Sequence, residues 1–183
     1  MLEKEYKCII SKSVYDEIKD YYKWDEIREQ TNNYYLDKAA ELSKHKIMVR
    51  VREKTGTYKL QVKKHRVTDS PVHISEETEF EISDVPEYID SAKAKELTGI
   101  NTDRLYRIGA LNTLRCSLMW DNTTEICLDK STYFDTTDYE IEVEYSGEFP
   151  QKLMEELSAL NVEFSEKGPG KYSRFIQKFK EQI

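Results

Sequence analysis

In an extended chain, residues i, i+2 and i+4 share one face. Several stretches of this 183-residue sequence set charged side chains at that spacing. Near the start, Glu3, Glu5 and Lys7 fall on one face. Arg50 and Arg52 do so against Val49 and Val51, and Lys59, Gln61 and Lys63 against Leu60 and Val62. Glu77, Glu79 and Glu81 oppose Phe80 and Ile82. Arg115 and Asp129 stand in two later stretches, and Glu140, Glu142 and Glu144 alternate with Ile141, Val143 and Tyr145. Clustered carboxylates take a hard cation such as Mg²⁺ or Mn²⁺ through oxygen. Arginine and lysine take phosphate oxygens, arginine in bidentate fashion. A site with both suits a polyanion chelated to a metal, and triphosphate meets that description.

Charges on alternate positions of a sheet with one wet face ordinarily only solvate it. Two features argue for more. The signs are segregated, with acids alone on the last stretch and bases alone on the Arg50 and Lys59 stretches, whereas a solvated face usually mixes them. The amphipathic helices also need an apolar surface, and covering the outside of a closed sheet would turn the charged faces inward. A charged interior is costly unless the charges find partners; facing arcs of acids and bases with a metal and an anion between them supply those partners.

The elements that must position these residues are mostly strands. Residues 3–10 alternate, and a helix follows that Ser13 can cap, with Val14, Ile18 and Tyr21 on one face. Residues 30–37 read as a strand, with a short helix at 38–44. Strands at 46–53 and 57–66 flank a hairpin turn at Thr55-Gly56. Residues 72–83 form another strand, and Pro86 opens a helix that reaches Leu97 and stops near Gly99. Three further strands, 111–120, 124–134 and 138–146, are separated by turns at Asp121-Asn122 and Asp135-Thr136-Thr137. Pro150 opens a helix with Leu153, Leu157 and Leu160 on one face. After the break at Gly168-Pro169-Gly170, a last helix carries Tyr172, Phe175, Ile176 and Phe179. About eight antiparallel strands can close a barrel, and closure removes exposed edges. The expected class is α+β: a closed, eight-stranded antiparallel β-barrel with helices packed outside, in one domain over 1–183, since no repeat or Pro/Gly linker divides the chain.

Composition excludes several classes. The formal net charge is −7, with 28 Lys+Arg against 35 Asp+Glu, a poor match for a nucleic-acid partner. Cys8, Cys116 and Cys127 lack CxxC or zinc-site spacing and read as reduced thiols. The first residues hold no apolar signal segment, and no apolar run approaches the roughly 18 residues that span a bilayer. A soluble, cytoplasmic protein with no membrane partner is expected, and a monomer and a homodimer are both compatible with an acidic surface. Gly168-Pro169-Gly170-Lys171 lacks the spacing of a phosphate-binding P-loop. His45, His65 and His73 have no metal spacing and read as surface positions. Tyr21, Tyr22 and Trp24 read as packing a helix onto the barrel.

The order of these motifs resembles the CYTH superfamily, the triphosphate tunnel metalloenzymes. Glu3-Lys4-Glu5-Tyr6-Lys7 reads ExExK, the signature strand. Arg50-Val51-Arg52 resembles the RxR strand, and Leu60-Gln61-Val62-Lys63 the strand ending in a phosphate-binding lysine. Glu79 and Glu81 resemble the mid-chain ExE, and Arg115 the single strand arginine. Leu128-Asp129 and Tyr139-Glu140-Ile141-Glu142 resemble the aspartate and second ExE. The segment 30–37 resembles the bacterial branch assigned as triphosphatases. The resemblance implies an eight-stranded tunnel in which Glu3, Glu5 and a last-strand glutamate bind the metal, Glu142 being favoured with Glu144 on the same face. Asp129 joins that set by its motif. It also implies that Lys7, Arg50, Arg52, Lys63 and Arg115 hold the phosphates. Lys59 shares the face of Lys63 and is added to them. Lys171 resembles a tunnel lysine and reads equally as a helix-start lysine. The implied reaction is hydrolysis of the terminal phosphate of a small-molecule triphosphate, inorganic tripolyphosphate first, with Mg²⁺ or Mn²⁺. Lys7 stabilises charge, and Glu140 or Glu144 holds the attacking water. Adenylate cyclase chemistry, thiamine- or nucleoside-triphosphate hydrolysis, and non-catalytic binding of polyphosphate or a nucleotide are the alternatives.

Overall fold

The computed structural model describes residues 2–66, 72–164 and 168–182, with backbone alone for Leu2, Glu3 and His73. Among the described residues nine strands run β1 (Leu2–Ile10), β2 (Glu26–Asp37), β3 (Ile47–Lys54), β4 (Thr57–Arg66), β5 (His73–Ile82), β6 (Tyr88–Ile89), β7 (Leu105–Met119), β8 (Thr124–Tyr133) and β9 (Thr136–Tyr145). Their order is β2-β3-β4-β5-β1-β9-β8-β7, and β7 pairs back onto β2, so eight antiparallel strands close a barrel. The two-residue β6 is appended to β7.

Local chemistry explains the turns. Lys54 pairs with Thr57 across the two-residue Thr55-Gly56 loop. Both loop residues have positive φ, 49° and 77°, the backbone twist that matches a hairpin. The β8–β9 turn is Phe134-Asp135 rather than the expected Asp135-Thr136-Thr137, because Tyr133 already pairs with Thr136.

The helices are α1 (Lys12–Tyr21), α2 (Glu41–Lys44), α3 (Ser91–Thr98), α4 (Gln151–Ala159) and α5 (Lys171–Glu181). The cap of α1 is Ser11, whose hydroxyl accepts from the Val14 N–H at 3.3 Å; Ser13, the expected cap, sits inside the helix. The stretch after Pro86 first pairs as β6, and α3 begins only at Ser91. Gly99, with φ 78°, ends it as expected.

Two apolar clusters cover the outer wall. Tyr15 and Ile18 of α1 and Leu153 and Leu157 of α4 pack with Ile126, Leu128, Ile141 and Val143. Leu42 of α2 and Ala94 of α3 pack with Val49, Val51, Leu60 and Val62. Tyr22 and Trp24 pack against the first cluster, whereas Tyr21 is exposed. The last helix behaves differently. Phe175 and Ile176 pack with Tyr34 and Met48, and those two side chains line the barrel interior, so α5 closes one end of it.

Candidate active site

Register brings the charged faces together. On β1 and β9, Glu5 lies opposite Glu144 and Lys7 opposite Glu142. On β7, β8 and β9, Arg115 lies opposite Asp129, which lies opposite Glu140. Tyr34 lies opposite Arg50 and Asn32 opposite Arg52. The barrel thus encloses a cavity of about 830 Å³. It is lined by Glu5, Lys7, Arg50, Arg52, Lys63, Arg115, Glu142, Glu144 and Lys171.

Two carboxylate groups stand on its acidic side. Glu5, Glu142 and Glu144 each offer an oxygen within 4.8 Å of the others, and so do Asp129, Glu140 and Glu142. The second group already has its cations. Lys171 Nζ lies 2.9 Å from Asp129 Oδ2 and 2.7 Å from Glu142 Oε1, and also pairs with Glu140. Arg115 grips Asp129 in bidentate fashion at 2.8 and 2.6 Å and pairs with Glu142. The first group faces the cavity, with Lys7 2.5 Å and Lys63 3.9 Å from Glu5. Three carboxylates and an open side fit a hard, oxygen-seeking divalent cation.

The electrostatics follow from these pairs. Burial pushes the Glu142 carboxyl up, but Lys171, Arg115 and Lys7 outweigh it and hold the group well below the usual carboxylate range. Burial likewise opposes ionisation of Glu5, and Lys7 and Lys63 bring it below its ordinary value. Glu140 ends above its ordinary value because burial, together with Glu142, outweighs Lys171 and Arg174. Burial opposes the charge of Lys171, yet Asp129, Glu140 and Glu142 hold it well above its ordinary value. On the basic side, burial, then Arg50 and Arg115, push Arg52 down to about 9. A buried cation among like charges favours an anion beside it.

The expected residues divide by location. Glu5, Lys7, Arg50, Arg52, Lys63, Arg115, Glu142, Glu144 and Lys171 share the cavity. Asp129 and Glu140 lie behind it, turned to Arg115, Lys171 and Arg174. Lys59 lies at a separate, smaller cavity and pairs with Glu79. Glu3 keeps its place in β1 opposite Ser75, but its side chain lies outside the described residues, as does that of His73.

Some residues were missed. His65 lines the cavity rather than the surface; its place two residues after Lys63 is the signal that could have found it. Burial, then Lys63 and Lys7, push it down to about 4, so it is neutral near pH 7. Arg28, Gln30, Asn32 and Tyr34 line the inner face of β2 at the same i, i+2 spacing. Arg174 donates to Asp138 at 2.7 Å, Glu140 at 2.8 Å and the Pro169 carbonyl at 2.6 Å, anchoring α5 to β9. Cys8, Cys116 and Cys127 are free thiols.

An antiparallel barrel that turns its charges inward around a cavity is the architecture of a polyanion tunnel. The chain belongs to the CYTH domain family, whose model matches residues 1–176. No curated protein matches the chain. Among solved structures it resembles an adenylyl cyclase candidate from Hippeastrum described as having a dominant triphosphatase activity. The TM-score is 0.75 at 19% identity, over 96% of both chains. A candidate adenylate cyclase from Bacillus halodurans aligns with TM-score 0.70 at 22% identity, over 93% of this chain and 95% of that one. The Mimivirus capping enzyme triphosphatase aligns with TM-score 0.53 at 12% identity, over 87% and 86%. These likenesses show a shared fold. Family membership supports an enzyme acting on triphosphates.

Proposed function

We propose that the chain is a divalent-metal-dependent triphosphatase that cleaves the terminal phosphate of inorganic tripolyphosphate. One observation carries the reading: Glu5, Glu142 and Glu144 converge within 4.8 Å on the cavity that also holds Lys7, Arg50, Arg52 and Lys63. Carboxylates beside a basic arc suit a phosphate chain with its counter-cation, whereas a phosphate site alone needs only the bases.

Glu5 and Glu142 would hold Mg²⁺ or Mn²⁺, with Glu3 as a further candidate from its motif and Glu144 beside them. Bound there, the ion supplies Lewis-acid polarisation of a phosphoryl oxygen. Arg50, Arg52 and Lys63 bind the non-bridging oxygens, and Lys7 neutralises charge that builds on them. Asp129 and Glu140 keep Arg115 and Lys171 in position. Glu144, more open than Glu5 or Glu142 with its side chain 33% exposed, takes the proton as a water oxygen attacks the terminal phosphorus. The bridging P–O bond breaks, and the diphosphate leaves with its electron pair.

A second reading, hydrolysis of a nucleoside or thiamine triphosphate, is favoured by Ile47, Met48, Tyr172 and Ile176, which line the α5 end of the cavity and suit an organic group. The test measures phosphate release from tripolyphosphate, ATP and thiamine triphosphate with Mg²⁺, Mn²⁺ or EDTA, together with cyclic AMP from ATP. Metal-dependent release fastest on tripolyphosphate is expected. Faster release from ATP or thiamine triphosphate would favour the second reading, cyclic AMP a cyclase, and binding without turnover a non-catalytic protein.

A further inference from the structure

The barrel has a second cavity, of about 200 Å³, at the end marked by the Thr55-Gly56 hairpin. It shares Arg28, Gln30 and Arg52 with the large cavity and adds Lys54, Lys59 and Glu79. Register puts these side chains there. Lys54 lies opposite Gln30, Arg52 opposite Asn32, and Lys59 opposite Arg52, all on the inward face.

The charges at this mouth do not balance. Glu26 is shared between Arg28 and Lys54, the latter at 3.8 Å. Glu79 pairs with Lys59. Arg52 donates to Asn32 Oδ1 at 3.0 Å and makes no ion pair among the described residues. Four cations therefore stand around Glu26 and Glu79, with Glu81, exposed and opposite Lys59, as the third carboxylate at this end. Separately, Nε of Arg28 is buried and has no hydrogen-bond partner among the described residues. A buried donor left unmatched is costly, and an anion acceptor would remove that cost. A cavity of this size falls below the ~300–1,000 Å³ of drug-sized ligand sites and suits one small, hydrated group. A tetrahedral oxyanion offers acceptors in several directions at once, as converging Arg and Lys donors require.

We propose that this mouth is a second oxyanion site, sized for a single orthophosphate group, held by Arg28, Lys54 and Lys59 and distinct from the triphosphate cavity. Arg52 forms the wall between the two. Burial and the neighbouring Arg50 and Arg115 already press Arg52 down to about 9, so anions on both sides of it relieve the same crowding. The site requires no turnover, and it stands or falls independently of the triphosphatase reading.

The test is calorimetric titration of orthophosphate into the whole chain in EDTA at fixed ionic strength. It compares wild type, Lys54→Gln/Lys59→Gln and Lys63→Gln. Two classes of site are expected for wild type. The double variant should weaken one class at least tenfold, and Lys63→Gln should leave that class intact. Circular dichroism checks that each variant is folded. If the double variant is not, Lys59→Gln alone carries the test, because that side chain is 42% exposed, and at least a threefold weakening is expected. An isotherm unchanged in the Lys59 variants, or one that disappears entirely in Lys63→Gln, would overturn the proposal.

Discussion

Lys171 Nζ sits 2.7 Å from Glu142 Oε1, which ties the first residue of the last helix to the last strand of the barrel. Glu142 belongs to both carboxylate groups. The ammonium on one side thus sets the charge offered on the other. Removing one partner of a buried ion pair leaves the rest uncompensated, at a cost of about 3–5 kcal/mol. Lys171→Met should lower the urea-unfolding free energy by that order, whereas Lys12→Met, in a solvent-exposed pair with Asp16, should leave it nearly unchanged.

The carboxylates should separate by role. Mg²⁺ or Mn²⁺ should raise the thermal midpoint of wild type, since a ligand of the folded state stabilises it by about 2.7 kcal/mol at a hundred times its Kd. Glu142→Gln should lose that shift together with activity. Glu144→Gln should keep part of the shift while kcat falls by about 10²–10⁴. A Glu144→Gln enzyme with wild-type kcat would remove this residue from proton transfer.

Arg50 tests the basic arc. Its Nε donates to Gln61 Oε1 at 2.7 Å, leaving the rest of the guanidinium toward the cavity and Glu77, 3.7 Å away. Losing a charge-assisted contact costs about 1.5–3 kcal/mol, or roughly ten- to a hundredfold. Arg50→Gln should raise KM by that factor if the contact is equal in ground and transition states. It should instead lower kcat if the contact tightens only in the transition state. Steady-state kinetics on tripolyphosphate distinguish the two.

His65 makes a pH prediction. Its folded value of about 4 lies below the ordinary 6.5. Between those values the unfolded chain binds more protons than the folded one, so stability rises with pH. The contribution is fully present above about pH 6.5 and is lost as pH falls toward 4. Urea midpoints measured from pH 4 to 7 should climb, and His65→Gln should flatten the part of the rise above pH 5, where the depressed carboxylates no longer titrate.

The seat of α5 can be probed at a glycine. Gly109 has φ +146°, and a Cβ there would meet Phe175 Cζ at 3.0 Å. It faces Tyr34 where the β2–β7 register shifts, and Phe175 packs 4.8 Å from the Tyr34 ring. Gly109→Ala therefore adds backbone strain to crowding, each costing about 1–3 kcal/mol. A lowered thermal midpoint is expected, with weaker triphosphate binding because Lys171 moves with its helix.

Much of the barrel was legible because strand alternation is a local property: a face repeats every two residues whatever the strand pairs with. Arg50, Arg52, Lys63 and the acids of β9 could be assigned to inward faces for that reason. The same rule reaches His65, which its lack of metal spacing had marked as a surface position, and Arg28, which precedes the strand expected at 30–37. Turn boundaries were less readable. The pairing of Tyr133 with Thr136 put the turn at Phe134-Asp135, although the polar residues there suggested a later one.

The sequence by itself determined which residues share a face, and with them the sign of each wall of the tunnel. Only the tertiary structure decided which charges meet. Glu5 faces Glu144, and Lys7 faces Glu142, because β1 pairs with a strand more than a hundred residues away. Nothing in the local pattern sets that register; barrel closure does. Whether Lys171 was a tunnel residue or an ordinary helix start was likewise decided by the docking of α5, which buries Phe175 among Tyr34, Leu111 and Tyr133 and brings the ammonium to Asp129 and Glu142. Apolar packing sets the position of that helix, and the buried carboxylates then hold Lys171.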